Sequence, residues 1–315
     1  MQKLRKIIIL GGTGFIGSHL ANKIFKLSEK VCILSRSINS NHDLKLIPNV
    51  EIIQTNVQDE RSLIHNFKDC DLVINTIGIL NEYNQDNTFE KLHYELTKKI
   101  SNALAKNKIK RYLHISSLNA DVHARSEYLR TKGQAESYLL ETTKKFSNIT
   151  IFRPSIVFGE HDSFFNKFSQ ILKFAIIFPL ACPKSKFMPI YVDDLTEFMM
   201  NSINDINTYG QTFDATGPKE YTFQELINIT INTLKIKRFV VPLNQTLSRL
   251  QARVFQNLPG KIFTMDNYYS LQVDSISSSG YKGTSNLEDI VPRYLNINYK
   301  QKRMMKLRKE SGRKK

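Results

Sequence analysis

Short apolar runs rich in β-branched residues alternate with longer stretches whose apolar positions recur every three or four residues. The runs at 6–10, 31–35, 50–54, 71–76 and 111–116, with a sixth at 151–153, have the length and composition of buried strands. Between them, 16–27, 59–67, 89–107 and 126–144 carry helical periodicity. Strict strand–helix alternation predicts an α/β fold in which parallel strands are joined by crossover helices packed on both faces of one sheet. Beyond Pro154 the alternation loosens into aromatic-rich loops, with helices expected at 163–174, 193–204, 221–234 and 243–258. This reads as a smaller C-terminal α+β lobe on the substrate side. The expected division is therefore 1–155, 156–298 and a short tail at 299–315, with the second part free to return strands to the sheet. In the last helix Leu247, Leu250, Val254 and Leu258 form one stripe, expected to be buried against the lobe. No internal repeat is present.

The first run leads directly into Gly11, Gly12, Thr13, Gly14, Phe15, Ile16 and Gly17, and a helix follows. Glycines at 11, 14 and 17 in a first strand-to-helix turn have a physical reading. The first permits the tight turn, the second lets main chain approach a pyrophosphate, and the third lets the helix close on the sheet. The helix N-terminus adds partial positive charge, so the turn suits a dinucleotide without a charged side chain. The fold class is accordingly a Rossmann-like doubly wound parallel sheet, and 1–155 is its nucleotide-binding domain.

The second strand ends in Ser35, Arg36 and Ser37, where an Asp or Glu would be expected to receive a free ribose 2′-hydroxyl. Arginine cannot accept that hydrogen bond, but it pairs well with a 2′-phosphate. NADP(H) is therefore favoured over NAD(H). Later strand ends offer Asn56 and Val57 to adenine, and Asn75, Thr76, Ile77 and Gly78 to the cofactor's ribose.

Tyr128 and Lys132 stand four apart on a predicted helix, within mutual reach on one face. A second such pair, Tyr94 and Lys98, lies after the fourth strand and is expected to be packing. Tyr128 instead follows the fifth strand and its Ser116–Ser117 end, which aims its helix at the nicotinamide end of a bound cofactor. A phenol that passes a proton while hydride moves needs its pKa brought down from about 10, and a nearby ammonium favours the phenolate. Lys132 could also hold the nicotinamide ribose, and Ser116 or Ser117 could orient a substrate oxygen. His114, within a strand, is expected to be a core residue. Asp193 and Asp194 read as a helix N-cap with acidic first-turn residues.

Composition narrows the alternatives. The 315 residues include 41% hydrophobic and 23% charged, a globular balance, and no apolar run reaches the length of a membrane span. Three cysteines, Cys32, Cys70 and Cys182, support neither a disulfide framework nor a zinc ribbon, and no metal-ligand spacing occurs. The net charge of +16 is half terminal, since residues 300–315 hold nine bases and one acid. Nucleic-acid motifs are absent, so that partner is not expected. The basic segment Lys300 to Lys315, with Met304, Met305 and Leu307 interspersed, is either solvated or set against acidic lipid or a partner protein. The early start of the first strand leaves no room for a presequence, so a cytoplasmic location is expected.

Taken together, the glycine spacing, Asn75 to Gly78, and Tyr128 with Lys132 resemble the short-chain dehydrogenase/reductase superfamily in its extended or atypical branch. Further segments, among them Gly78 to Leu80, Arg153 to Gly159, Phe164 to Phe168, Pro189 to Asp194 and Val291 to Leu295, are similar to the family of NAD(P)-binding accessory subunits of respiratory NADH:ubiquinone oxidoreductase and their bacterial homologues. The resemblance implies a tightly held NADPH, with Pro154 and Val157 added to the cofactor contacts, a respiratory-chain or quinone-metabolism role, and a place peripheral at the inner face of the respiratory membrane, with Lys300 to Lys315 against acidic lipid or a respiratory complex. It also implies the alternative of an NADP-dependent reductase or epimerase that uses Tyr128 and Lys132. One departure is Leu118, where extended-branch enzymes usually keep Ser or Thr.

Overall fold

A computed structural model describes residues 3–37, 43–258 and 261–296. The basic segment from Lys300 to Lys315, and with it the expected lipid or complex contact, lies outside the described residues. Six strands, β1 (Leu4–Leu10), β2 (Ser28–Ser35), β3 (Val50–Gln54), β4 (Leu72–Asn75), β5 (Arg111–Ile115) and β6 (Asn148–Pro154), share one sheet in the order β3-β2-β1-β4-β5-β6. Gln211–Thr216 then pairs with β6, and Tyr281–Lys282 pairs with Gln211–Thr216, so all eight strands run parallel. The order reverses between β1 and β4. In a doubly wound sheet, that reversal leaves a crevice at the carboxyl ends of the strands.

Period-two alternation explains why the strands are apolar throughout. On one face Ile7, Ile9, Ile33, Ile74, Leu113 and Phe152 meet Leu20, Ala21 and Ile24 of α1 (Phe15–Ile24) and a later helix bearing Leu195 and Met199. On the other, Ile8, Leu10, Cys32, Val73 and Tyr112 meet α2 (Glu60–Asn66), α3 (Leu96–Lys106) and α4 (Glu127–Glu141) through Leu63, Ile100, Leu104 and Leu139. Each fully buried Ile or Leu contributes about 1.5–3 kcal/mol relative to exposure, so the two layers hold the sheet from both sides. Local chemistry sets the helix ends. Asp59 caps α2 by accepting from the Arg61 N–H, and Ser126 caps α4 by accepting from the Leu129 N–H. The helix expected over 16–27 stops at Ile24 and tightens into a 3-10 turn, Phe25–Leu27. That expected over 89–107 opens as a π-helical turn, Glu90–Glu95, before α3.

The C-terminal half adds its own apolar cluster, in which Phe158, Phe165, Leu172, Phe187, Phe223, Leu226 and Val291 come together. Its helices are α5 (Phe165–Phe174), α6 (Val192–Asn201), α7 (Phe223–Leu234), α8 (Gln245–Phe255), α9 (Met265–Ser270) and α10 (Leu287–Leu295). A reciprocal capping box, Thr222 with Glu225, starts α7. At α6 the N-cap is Tyr191, and Asp193 and Asp194 occupy the first turn, one step further in than a cap. Asp194 accepts from the Thr284 and Ser285 N–H groups at 2.9 Å each, fastening the last sheet strand's exit to α6. Asp193 pairs with Lys23 and meets His19 across the gap to α1.

One expectation is corrected. The stripe Leu247, Leu250, Val254 and Leu258 is 44–56% exposed and not buried against the lobe. Periodicity marks a face without saying whether anything covers it; α8 docks instead by its small residues, Ser248 and Ala252, and the Ser248 hydroxyl accepts from the Cys182 N–H at 3.1 Å. Among the described residues, no helix is long and apolar enough to cross a membrane, and no cluster of His, Cys, Asp or Glu could hold a metal ion.

The seat of α4 depends on Gly133, where a Cβ would lie 2.4 Å from the Asp121 carbonyl carbon and 2.6 Å from the Val122 nitrogen. Main chain cannot yield as a flexible side chain would. Gly133→Ala is expected to cost about 1–3 kcal/mol, read as a lower thermal midpoint by circular dichroism.

Candidate functional site

The strand-to-helix turn after β1 is built by close approach. Gly11 has φ +75°, in the left-handed region, and its carbonyl accepts from the Gly14 N–H at 2.9 Å. At Gly17 a Cβ would fall 2.3 Å from the Gly11 oxygen and 2.6 Å from the Gly12 Cα, so any side chain would push α1 off the turn. Gly14 is exposed and occupies the N-cap of α1, with no side chain capping the first N–H groups. These donors remain available to an anion. Gly12 faces the other way: its missing Cβ would meet Ile33 and Ile9, which makes it a packing position under the sheet.

The turn opens onto a cavity of about 500 Å³ at the strands' carboxyl edge. Gly11, Gly14, Phe15, Ile16 and Gly17 line it, as do Ile77, Gly78, Ser116, Ser117, Tyr128, Lys132, Pro154 and Val157. Sequence-predicted residues from five separate segments are thus brought to one space. Gly12, Thr13, Arg36, Asn56 and Val57 are not in its lining. Arg36 follows the carboxyl end of β2, beside the glycine turn, where its guanidinium donates to the Asn87 Oδ1 at 3.1 Å. The Asn56 Oδ1 accepts from the Gln58 N–H in a local turn, and Val57 is buried in the apolar layer.

On α4 the Lys132 ammonium is buried and donates to the Ile115 carbonyl at 3.0 Å. Removal from water brings its pKa down to about 8, with Glu136 opposing weakly. The Tyr128 hydroxyl moves the other way. Burial raises its pKa, and only the Ser117 hydroxyl opposes the rise. The expected depression of the phenol by Lys132 is therefore not realised in this arrangement, where desolvation dominates the phenol and the ammonium is engaged on main chain. Ser116 is buried with its hydroxyl unpartnered, and Ser117 is the serine beside Tyr128. Tyr94 is surface packing, with the Lys98 ammonium over its ring at 4.6 Å.

Sequence reasoning passed over His93. From the π-helical turn its ring meets Tyr128 edge-on at 5.5 Å. Its Nε2 accepts from the Ile79 N–H at 3.3 Å, which places the proton on Nδ1, donating to the Thr131 hydroxyl at 3.0 Å. Burial, with the Lys132 charge adding to it, keeps the imidazole neutral. His93 thereby holds the Gly78–Ile79 loop against α4, and nothing in the spacing of a lone histidine announces this. His114 is a core residue as expected, with its Nδ1 at 2.9 Å from the Tyr112 hydroxyl and its Nε2 unpartnered.

The sequence model of the NAD dependent epimerase/dehydratase family matches residues 7–205, well over half of the chain. The protein belongs to that family. It is 29% identical over 222 residues to the mitochondrial NADH-ubiquinone oxidoreductase 40 kDa subunit of Neurospora crassa, covering 69% of this chain and 57% of that one. It is also 29% identical over 305 residues to the mitochondrial NADH dehydrogenase [ubiquinone] 1 alpha subcomplex subunit 9 of Arabidopsis thaliana, covering 91% of this chain and 74% of that one. For the mouse protein of the same name the match covers 70% of this chain and 58% of the relative, so the chain spans under three-fifths of the first relatives' length. In fold it is similar to a UDP-glucose 4-epimerase with UDP-glucose from Thermotoga maritima, with TM-score 0.70 and 14% identity over 95% of this chain and 99% of that one. A dTDP-glucose 4,6-dehydratase in complex with NAD from Bacillus anthracis gives the same TM-score at 14% identity, over 95% of this chain and 97% of that one.

The family's nicotinamide dinucleotide fits the site on two observations: the uncapped α1 N-terminus faces the cavity across bare glycine, and Ser116, one of the lining residues, has a buried hydroxyl without a partner.

The buried ammonium has a measurable signature. Below about pH 8, Lys132 is charged both folded and unfolded, and the desolvation cost is fully present. Between about 8 and the free-lysine value of 10.5, the folded state loses its proton first, so stability rises with pH by up to on the order of 3 kcal/mol. Lys132→Met is expected to lack this rise. Urea midpoints of both proteins at pH 7 and pH 10 give the comparison.

Proposed function

We propose that the chain holds NADPH, with 1–155 as its nucleotide-binding domain and 156–298 as a lobe that completes the cleft. The observation that carries this reading is the uncapped, glycine-lined helix N-terminus opening into the same cavity as Tyr128 and Lys132. Main-chain donors of the Gly11–Gly17 turn would take the pyrophosphate, Pro154 and Val157 would wall the nicotinamide side, and Lys132 would bind the adjoining ribose. Asn56 and Val57 would border the adenine. Arg36 stands at the end of β2 with no carboxylate at its side among the described contacts, and it would pair with a 2′-phosphate. Bound nicotinamide supplies hydride transfer.

Similarity to subunits named for NADH:ubiquinone oxidoreductase supports a respiratory-chain or quinone-metabolism role, in association with a respiratory complex and peripheral to the inner face of its membrane. A second reading, an NADP-dependent reductase or epimerase, is supported by the convergence of Ser116, Ser117, Tyr128 and Lys132 on one cavity. There Ser117 would orient a substrate oxygen and Tyr128 would pass the proton, once a ligand displaces the water and the Lys132 charge faces the phenol.

Two measurements test these assignments. Arg36→Glu is expected to weaken NADPH about tenfold or more while leaving NADH within about threefold, by fluorescence titration; equal losses would remove the 2′-phosphate assignment. Stopped-flow exchange of bound NADPH, with oxidation by quinone-like carbonyl compounds, separates the two roles. Slow exchange without oxidation supports a held nucleotide, whereas turnover that falls about a hundredfold or more in Tyr128→Phe supports the enzyme.

A further inference from the structure

The half of the cavity contributed by the C-terminal lobe has a chemistry of its own. Phe164, Phe168, Phe187 and Phe223 all line it and are linked through Phe223, with ring centroids 4.9 Å apart for Phe164 and Phe168, 5.5 Å for Phe168 and Phe223, and 6.0 Å for Phe187 and Phe223. Ile262, 40% exposed, stands in the same lining. Apart from Lys132, the only charged residue among the described lining residues is Lys167. Lys167 is half-buried, its ammonium donates to the Ile262 carbonyl at 3.0 Å, and no carboxylate pairs with it among the described ion pairs. Burial lowers its pKa with nothing opposing.

Ser163, Asn267, Ser270 and Ser275 share this half of the lining, but the side chains of the last three are engaged within the protein. An aromatic wall with one unpaired cation is poorly matched to a nucleotide diphosphate sugar, which would bring two negative charges and a hydroxyl-rich ring into it. Desolvating those groups without partners costs several kcal/mol. The wall does match a molecule with a long apolar part and a single oxygen acceptor. Aromatic and aliphatic contact would supply the affinity, and the ammonium, with two further N–H groups to offer, would fix the end.

We propose that this half of the cleft takes an apolar amphiphile whose one carboxylate or carbonyl oxygen is received by Lys167, with its hydrocarbon part on the Phe164–Phe168–Phe223 wall. The proposal rests on the dinucleotide reading only for the identity of the other half of the cleft. Its partner need not be charged, since an ammonium donates to a ketone or aldehyde oxygen as well as to a carboxylate.

The test uses dansyl-undecanoate as a fluorescent ligand of the full chain. Dodecanoate, 2-dodecanone and UDP-glucose are the competitors. Displacement by either dodecyl compound, with none by UDP-glucose in about hundredfold excess, is the expected result. Lys167→Met is expected to weaken dodecanoate about tenfold and the ketone less, which separates a carboxylate ligand from a carbonyl one. Ile262→Glu, at the rim, and Phe168→Glu, in the wall, are each expected to weaken the probe about tenfold or more with unchanged circular dichroism. Absence of probe binding, displacement by UDP-glucose as effective as by dodecanoate, or an Ile262→Glu protein that binds as before would overturn the proposal. NADPH titration of the same protein keeps the two readings apart: probe binding without NADPH binding sinks the dinucleotide assignment alone, and the reverse sinks this one alone.

Discussion

The molecule hangs on the approach of α1 to the main chain it has just left. A helix can deliver its N-terminal donors into a cleft only if its first turn lies almost in contact with the preceding strand end, and at Gly17 the room left is less than a methyl group needs. From that one distance follow the tilt of α1, the burial of Leu20, Ala21 and Ile24 on the sheet, and the opening of the glycine turn toward β4 and β5. The left-handed Gly11 is the other half of the same constraint, since the chain must reverse within a residue or two of a fully buried strand.

Electrostatics in the cleft are set by how little water it admits. Lys132 and His93 are both pushed toward neutrality, and the Tyr128 phenol away from ionisation, by the same desolvation. A dinucleotide in the cleft would bring negative charge to a region whose own cations are incompletely compensated. Burying these groups costs stability, a common relation between stability and function in binding clefts.

Much of the fold was legible because strand and helix periods differ so clearly in the first half. The expected strand at 50–54 is found with those limits, and the others differ by one to three residues at their ends, where pairing with neighbours lengthens or shortens a ladder. The family was legible too, in the glycine turn and the segments around Tyr128 and Arg153. Less was readable where neighbours in space decide. The exposed stripe of α8 has the same spacing as a buried one; its fate turned on Ser248 and Ala252 being the buried positions, with Ser248 bonded to Cys182. His93 acts through Ile79 and Thr131, one of them 38 residues away, so no local pattern could mark it. The aromatic wall draws on residues between 164 and 223, which align only after α5 and α7 have packed. Gly12, indistinguishable in the motif from its neighbours, turned out to face the core.

The outermost strands have a consequence for how the chain is made. Because Gln211–Thr216 lies parallel to β6, the ladder edge at β6 stays unsatisfied until more than two hundred residues have left the ribosome. A nascent chain halted before that point would present Ile149, Ile151 and Phe152 along an open edge, and would be sticky in the way of any uncovered hydrophobic strand. Synthesis speed and chaperone capture, rather than the strength of any finished contact, would then decide how much of the protein reaches its native state.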